Sequence, residues 1–430
     1  MLYVGLMFLL ARVRFKGRWK LLETLLILLA IWGFTFLTGA TASVLRASVM
    51  FSTYMLGKAF RRDAPAWNVL PASAFGLLLY NPYFLFDVGF QLSYAAVAGM
   101  VFFYARFYKM FPPMPRWADE CLKVLLVGMA AQLGTLPLTL YYFNQFPVYF
   151  WLSGWIVVLG GAIFLWGGAL LVVLDSLSQT LTDWLGTALY YMLWGMNKII
   201  FFIQLLPGSV IANIWIAGWV AAVLYVCIAL LGSLMVYRKA QYLLGFIALM
   251  TLLGTYRITT LSAKSRQQKI VVYHLNKQSL IDFWDGEKVF TLSDTIIPRK
   301  EIFAAQANRI TGALTRKTVL HFSADTSFLS GNLLIDKSFV QFFDKKIVLL
   351  DHATQARPAG KKPFRTDILL LCKNPKVTIA QCREHFSFQI VVFDASNSQG
   401  QTERWRKECE SAGWAYHDVR SQGAWVFEIP

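Results

Sequence analysis

The first 256 residues contain long apolar runs separated by short polar stretches, a pattern typical of helices that cross or line a membrane. The runs fall near residues 21–38, 43–57, 66–80, 84–105, 122–143, 148–174, 184–206, 213–236 and 241–256. Several runs are shorter than the roughly 20 apolar residues of a full crossing, so we expect some helices to be broken or buried against neighbours. The pattern predicts a polytopic α-helical membrane domain of about seven to nine helices over residues 1–256.

The pattern changes after residue 256. We expect residues 257–267 to form a linker, and residues 268–430 to form a separate soluble domain, because short strand-like runs and turn signals such as Asp285-Gly286 begin there. The strand-like runs lie near 269–275, 287–292, 346–351, 366–371, 389–393 and 424–429, and helical stretches lie near 376–385 and 401–412. This alternation predicts an α/β fold.

Composition agrees with a chain that meets two solvents. Hydrophobic residues make up 57% of the 430 residues and charged residues only 15%, which is unusual for a wholly soluble protein. All five histidines follow residue 256. The five cysteines have neither the close spacing of a zinc site nor the density of a disulfide scaffold, so they indicate no particular chemistry.

The net charge of +17 is typical either of nucleic-acid binding or of cytoplasmic loops that set membrane topology. Lysine and arginine cluster within residues 12–20, 58–62, 106–123 and 238–239. If all four clusters are cytoplasmic, the intervening segments alternate consistently and the chain after residue 257 lies outside the cytoplasm. The weakest step is segment 184–206, because in an alternative interpretation it lies along the membrane interface, and one lost crossing would reverse the C-terminal side.

Arg46 is the first candidate functional residue. It shares one helical face with Gly39, Ser43 and Met50, which lie at spacings of four, seven and eleven residues from Gly39. An arginine within an apolar segment is costly unless it faces protein, water or an anion, so Arg46 and Ser43 are candidates to line a route through the membrane. The alternative is an arginine near a helix end whose side chain reaches the interface.

Two further polar stripes carry the other candidates. Asn81-Pro82 is expected to break a helix, with Asp87 in the first turn of the next helix and Gln91 on the same face. Gln132 and Thr135 form the third stripe. Three polar stripes on separate helices indicate a shared wet interior, although Asp87 could only complement the helix dipole and the stripes could only be interhelical hydrogen bonds.

These residues carry a resemblance to a known family. The segment from Gly39 through Pro147 resembles the competence domain of the ComEC family, bacterial inner-membrane proteins that pass transforming DNA as a single strand into the cytoplasm. The resemblance rests on three motifs: Gly39…Ser43…Arg46-Ala47…Met50, then Asn81-Pro82…Asp87…Gly89-Phe90-Gln91-Leu92-Ser93, then Gln132…Thr135-Leu136-Pro137…Phe143…Phe146-Pro147. It implies that the family's upstream helices and small β domain are missing here, with Tyr3 in the place of a family histidine.

The resemblance also covers the soluble domain. It implies a metallo-β-lactamase-like fold, with the segment from Val271 to Asp282 in the place of a strand, a metal-binding turn and a second strand. A two-metal site of that kind needs clustered histidines and aspartates, in the pattern His-x-His-x-Asp-His. The chain has no His-x-His, and Asp351-His352 is only a fragment of such a motif. We therefore expect a fold of this type without its metal motif, no metal or cofactor, and no nuclease activity.

The sequence supports one leading function and two alternatives. The leading hypothesis is an inner-membrane channel component for single-stranded DNA, with Arg46, Ser43, Asp87, Gln91, Gln132 and Thr135 along the path. The alternatives are a membrane-anchored metallo-hydrolase or nuclease, and a remnant or split subunit that assists assembly without transporting anything. The expected partners are single-stranded DNA, the lipid membrane, a separately encoded N-terminal part and other DNA-uptake proteins.

Overall fold

The computed structural model of the chain describes residues 19–59, 65–175, 177–275, 278–293, 305, 308–309, 316–321, 327–351 and 363–429. The chain divides into two compact units, Met1–Thr251 and Leu252–Pro430. Tyr3 and His352, which entered the sequence analysis, lie outside the described residues.

Nine α-helices follow one another in the described part of residues 19–264, in agreement with the helical membrane domain that the apolar runs predict. They are α1 (Trp19–Leu37), α2 (Ala42–Ala59), α3 (Ala66–Tyr80), α4 (Val88–Tyr108), α5 (Arg116–Phe143), α6 (Phe150–Asp175), α7 (Gln179–Leu205), α8 (Gly218–Tyr237) and α9 (Ala240–Lys264). A 3-10 turn, Pro82–Phe86, separates α3 from α4. Two short strands, β1 (Phe146–Pro147) and β2 (Val210–Ile211), pair antiparallel between helices.

Five of the described helices are long and apolar enough to cross a membrane: α4, α5, α6, α8 and α9. Helix α3 and residues 24–37 of α1 are apolar but shorter. Helix α7 has 27 residues and is not among the five, because polar residues interrupt its apolar sequence. The chain is therefore a multi-pass membrane protein by the length and composition of its helices.

Glycines bring three helices of the bundle together. A Cβ on Gly99 of α4 would lie 3.0 Å from the Gly134 Cα of α5 and would collide with the Ala130 carbonyl oxygen, so the two backbones are in direct contact. Such close approach is what small residues permit between membrane helices. From α8, the Tyr225 hydroxyl donates to the Gly134 carbonyl oxygen at 3.1 Å, one turn before Pro137.

The boundary between the two units corrects one expectation. Helix α9 runs through Lys264, so residues 257–264, which the sequence analysis assigned to a linker, form its last two turns. The segment between Tyr256 and Gln268 contains neither glycine nor proline, so no helix-breaking residue ends α9 at Tyr256.

The second unit is a layered domain rich in β-structure. Its strands are β3 (Gln268–Val272), β4 (Leu280–Asp285), β5 (Lys288–Ser293), β6 (Arg316–His321), β7 (Ser327–Ser330), β8 (Leu333–Asp336), β9 (Phe339–Phe342), β10 (Lys345–Leu350), β11 (Phe364–Arg365), β12 (Ile368–Leu371), β13 (Phe386–Ser387), β14 (Ile390–Phe393), β15 (Tyr416–Asp418) and β16 (Trp425–Glu428). Its helices are α10 (Ile379–His385), α11 (Gln399–Ala412) and α12 (Val419–Gln422).

Most of these strands form two sheets. One has the order β16-β3-β4-β5-β6, and the other has the order β15-β14-β12-β10-β9-β8-β7. In the second sheet β10, β12, β14 and β15 run parallel, whereas β7 to β10 form an antiparallel meander. The four parallel strands therefore end at the same edge of the sheet.

The two sheets share one hydrophobic core. Side chains that alternate along β3, β4 and β5 pack against side chains from the second sheet, including Phe283 against Phe342 with ring centroids 5.5 Å apart. The opposite face of the second sheet is covered by α10 and α11, where Trp405 is fully buried against Phe393. The central strands of the second sheet therefore bury both of their faces. The layers are, in order, the first sheet, the second sheet and the helices.

A buried ion pair lies on the outer face of the first sheet. Arg309 donates to both carboxylate oxygens of Asp282, at 2.6 and 2.8 Å, and both residues are almost completely buried. The hydroxyls of Thr291 and Tyr273 donate to the same carboxylate at 2.7 and 3.0 Å. Burial raises the pKa of Tyr273, which keeps its phenol protonated as a donor. The network anchors the chain around Arg309 to β4 and β5.

Candidate functional site

Arg46 is paired inside the helix bundle. It lies on α2 and is 8% exposed. Its Nη1 donates to Asp87 Oδ1 at 3.2 Å, and its Nε donates to Ser93 Oγ at 3.2 Å. Because Asp87 carries the opposite charge, the cluster formed by Arg46, Asp87 and Ser93 is close to neutral. The Arg46 side chain is therefore enclosed between α2 and the start of α4.

Asp87 has two roles in this cluster. It is the N-cap of α4, where its Oδ1 accepts the Phe90 backbone N–H at 2.6 Å, so it lies one residue before the first turn in which the sequence analysis placed it. The same oxygen accepts from Arg46. The capping interaction fixes the carboxylate at the positive end of the helix dipole, where a negative charge is favoured. Its side chain remains 44% exposed, so the pair borders on the surroundings of the bundle.

Gly89 makes room for the arginine. A Cβ at this position would lie 2.8 Å from Arg46 Nη2, closer than a side chain tolerates. Gly89 and Ser93 are four residues apart, so they present one face of α4 to the guanidinium. Among the described residues Nη2 has no hydrogen-bond partner.

Gln91 belongs to a different contact. Its amide Nε2 donates to the Leu85 carbonyl oxygen at 2.8 Å, and its Oε1 accepts from the Tyr142 hydroxyl at 2.9 Å. These bonds tie the 3-10 turn and α4 to α5. The structure thus separates Gln91 from the arginine cluster, although the sequence placed Asp87 and Gln91 on one face.

The remaining predicted path residues do not join either contact. Ser43 is exposed, and its hydroxyl has no hydrogen bond within the described chain. The Thr135 hydroxyl donates to the Ala131 and Gln132 carbonyl oxygens of its own helix, at 3.1 and 3.3 Å. Such bonds satisfy a threonine inside a helix without any external partner. Gln132 is half-buried, and its side-chain amide has no hydrogen bond within the described residues.

Sequence reasoning left three participants unassigned, namely Ser93, Gly89 and Tyr142. Ser93 and Gly89 stand inside the quoted motif, but neither was a candidate site residue. Their common spacing of four residues was the available signal. Tyr142 left no such signal, because its contact with Gln91 joins residues 51 positions apart.

In the soluble unit, the shared edge of the parallel strands holds a second polar cluster. Asp394 follows β14 and is fully buried, with Ser396 Oγ donating to its Oδ2 at 2.8 Å. Its Oδ1 has no hydrogen-bond partner in the part of the chain that the structure describes. Burial raises the pKa of Asp394 to about 6. After β12, Cys372 is also buried, which raises the pKa of its thiol, and Ser279 Oγ lies 3.7 Å from its sulfur.

Hydrogen bonds between the loops close this edge. The backbone N–H of Lys373 donates to Ser396 Oγ at 2.9 Å, and that of Asn374 donates to Asn397 Oδ1 at 2.8 Å. Within the described ranges, no three His, Cys, Asp or Glu side chains come together as a metal site. Apart from Asp394 Oδ1, the polar groups of these loops therefore hydrogen-bond to one another.

Comparisons with known proteins agree with the two-part organisation. A family model described as competence protein matches residues 1–239, and a model described as ComEC C-terminal domain matches residues 270–429. The chain is similar to ComE operon protein 3 of Bacillus subtilis (strain 168), with 34% identity over 125 residues, which cover 29% of this chain and 15% of the relative. No solved structure matches the chain. Because the competence model spans more than half of the chain and the second model spans most of the remainder, the chain belongs to the ComEC family of competence proteins.

Proposed function

We propose that the chain is a component of an inner-membrane channel that passes single-stranded DNA into the cytoplasm during natural transformation. The observation that carries this proposal is the match of the competence-protein model across residues 1–239, which contain the whole arginine cluster. The match to the Bacillus relative covers 15% of that protein's length, and other proteins of the DNA-uptake machinery are proposed partners. The substrate is single-stranded DNA, and the membrane is the second partner.

Arg46 is the residue that we propose meets the DNA backbone. In the resting cluster Asp87 neutralises it, which lowers the cost of burying a cation. Nη2 packs against Gly89 and has no hydrogen-bond partner among the described residues. A phosphate that reached the guanidinium would accept from Nη2, since phosphates and guanidinium groups form charge-assisted hydrogen bonds. While no DNA is present, the ion pair with Asp87 would hold the Arg46 side chain in position.

The first prediction tests this role. Arg46→Lys should retain part of DNA uptake, because it keeps a charge, whereas Arg46→Gln should lose most of it. Uptake of labelled DNA and the amount of the protein in the membrane are both measured, in cells that also express any separately encoded N-terminal part. Lys123→Gln, which removes a half-buried cation from α5 that is paired with Asp119, is the matched control and should keep normal uptake.

Two outcomes would contradict the proposal. Normal uptake by Arg46→Gln would remove Arg46 from the DNA path. A parallel loss of uptake and of membrane-inserted protein would assign it a structural role, because breaking a buried pair leaves Asp87 uncompensated.

For the soluble unit we infer a metallo-β-lactamase-like fold that carries no metal chemistry. Its support is the pair of face-to-face sheets with helices on the second sheet, and the parallel strand ends that hold Asp394 and Cys372. Asp282, in the segment where the family's metal-binding turn is expected, is instead bound to Arg309. An aspartate committed to a bidentate ion pair is a poor ligand for a cation.

The second prediction follows from this inference. The purified full chain should contain no stoichiometric zinc or manganese and should show no metal-dependent nuclease activity. Elemental analysis and cleavage of labelled DNA, with and without chelator, provide the measurement. A bound metal whose removal inactivates or unfolds the soluble unit would favour the alternative of a membrane-anchored hydrolase.

A further inference from the structure

Helix α7 carries a polar and aromatic stripe on an exposed face. The stripe consists of Thr187, Tyr190, Trp194, Asn197, Phe201 and Gln204, and every one of these residues is exposed. Their spacing alternates between three and four residues, which is the period of a helix that packs against another helix in a left-handed crossing. Asp183 continues the stripe by one step toward the start of α7.

Helix α7 lies antiparallel along α6, which places the stripe at membrane depth. Leu171 of α6 lies 3.5 Å from the Cβ position of Gly186, and Leu189 lies 2.7 Å from that of Gly167. Further along, Met196 contacts Gly160. As the residue number rises along α7, the number of the contacted residue in α6 falls by the same amount. Helix α6 is one of the five helices able to cross a membrane.

This alignment fixes the depth of individual residues. Asn197 is level with Leu159 of α6, nine residues from the helix start at Phe150, or about 14 Å inside. Trp194 is level with the middle of α6. Asn197 and its neighbour Lys198 therefore lie within the hydrocarbon layer, which is about 30 Å thick.

At that depth the described chain offers Asn197 no hydrogen bond and Lys198 only a contact with an aromatic ring. The Asn197 amide has no hydrogen-bond partner among the described residues, and no ion pair of Lys198 with an acidic residue is found among them. Its Nζ lies over the Trp194 ring, 5.5 Å from the centroid, toward the middle of the membrane. Exposing such groups to lipid is costly, so polar side chains in membrane helices face protein or water.

We propose that the stripe on α7 is a docking surface for a transmembrane helix of another membrane protein. The partner helix has a hydrogen-bonding side chain level with Asn197, an acidic group near Lys198 and a basic group near Asp183. A side-chain amide in this position contributes an interhelical hydrogen bond in an apolar environment. The aromatic residues between the polar ones supply the packing surface.

The charges argue against a second copy of the chain as the occupant. Two copies inserted in the same orientation would cross as parallel helices, with each residue near its own counterpart. Asp183 would then face Asp183, and Lys198 would gain no acid. A different helix, with complementary charges, satisfies both ends of the stripe.

Site-specific photocrosslinking in intact membranes tests the proposal. Trp194 of the full chain is replaced by the photoreactive amino acid p-benzoylphenylalanine, and the control carries the same probe at Ile199. Ile199 is 51% exposed on the opposite side of α7, since it is 200° from both Asn197 and Phe201. The Trp194 probe should give one protein adduct, with the crosslinked peptide mapping to a transmembrane segment of another protein, and the Ile199 probe should give lipid adducts.

Loss of one polar group should weaken the adduct. Asn197→Leu should reduce it by about threefold or more, the weight of one intramembrane hydrogen bond, at unchanged protein level. Gln204→Leu provides a second variant if the first accumulates poorly. The proposal is overturned by equal lipid adducts at both probes, by an adduct between two differently tagged copies, by a crosslink within one chain, or by an adduct that contains DNA.

Discussion

Two acids of this chain show how the surroundings of a residue decide its role. Asp87 caps α4 and balances Arg46, and its carboxylate is partly open to the outside of the bundle. Asp394 has no cation beside it, is buried, and keeps one oxygen without a hydrogen bond within the described residues. Burial therefore destabilises the charged form of Asp394.

The third prediction concerns Asp394. Burial raises its pKa from 3.8 to about 6. Between pH 3.8 and about 6, the folded state therefore still holds the proton that the unfolded state has released. Its contribution to stability is therefore fully present below pH 3.8 and is lost as the pH rises through 6, by about 3 kcal/mol in total. Asp394→Asn should be more stable than the parent protein at pH 8, and the difference should vanish near pH 4.

Urea-dependent proteolysis of the intact chain, read at the soluble unit, measures this difference. Asp336→Asn, which changes an exposed acid of the same sheet, serves as the control and should show no such pH-dependent gain. A constant difference between Asp394→Asn and the parent from pH 4 to pH 8 would contradict the account.

At the scale of elements, the contact of α4 with α5 is the closest backbone approach that the glycines reveal. The fourth prediction is that Gly99→Leu separates the two helices, since its side chain meets Gly134 and the Ala130 carbonyl. Overpacking of this kind costs about 1–3 kcal/mol or more. The yield of monodisperse protein in detergent should fall severalfold, whereas Gly128→Leu, with open space around its Cβ position, should leave it unchanged.

Local signals were enough to find most elements. The apolar runs near 122–143 and 213–236 correspond to α5 and α8, and the helical stretch near 401–412 corresponds to α11, because length and periodicity are properties of neighbouring residues. Contacts between distant residues were not predictable in this way. The Arg46–Asp87 pair joins residues 41 positions apart, and the order of strands in the sheets depends on the same kind of contact.

At the scale of the whole molecule, the side of the membrane that holds the soluble unit depends on every crossing before it. The packing of α7 along α6 supports a crossing at the step that the sequence left weakest. The fifth prediction is that the soluble unit lies outside the cytoplasm, as one more helix, α9, follows the basic pair Arg238 and Lys239.

A fluorescent protein that matures only in the cytoplasm provides the measurement. Fused after residue 267, it should remain dark, and fused after Lys239, it should fluoresce. Strong fluorescence of the first fusion would reverse the orientation, and a dark second fusion would show that the basic pair is not cytoplasmic.

The matched contacts between α6 and α7 also have a consequence for biogenesis. Helix α7 lacks the apolar character that allows a segment to partition into lipid alone, whereas α6 has it. Met196 and Leu189 of α7 pack against Gly160 and Gly167 of α6, so the two helices form a packed hairpin. We therefore expect α7 to enter the bilayer together with α6, as a helical hairpin.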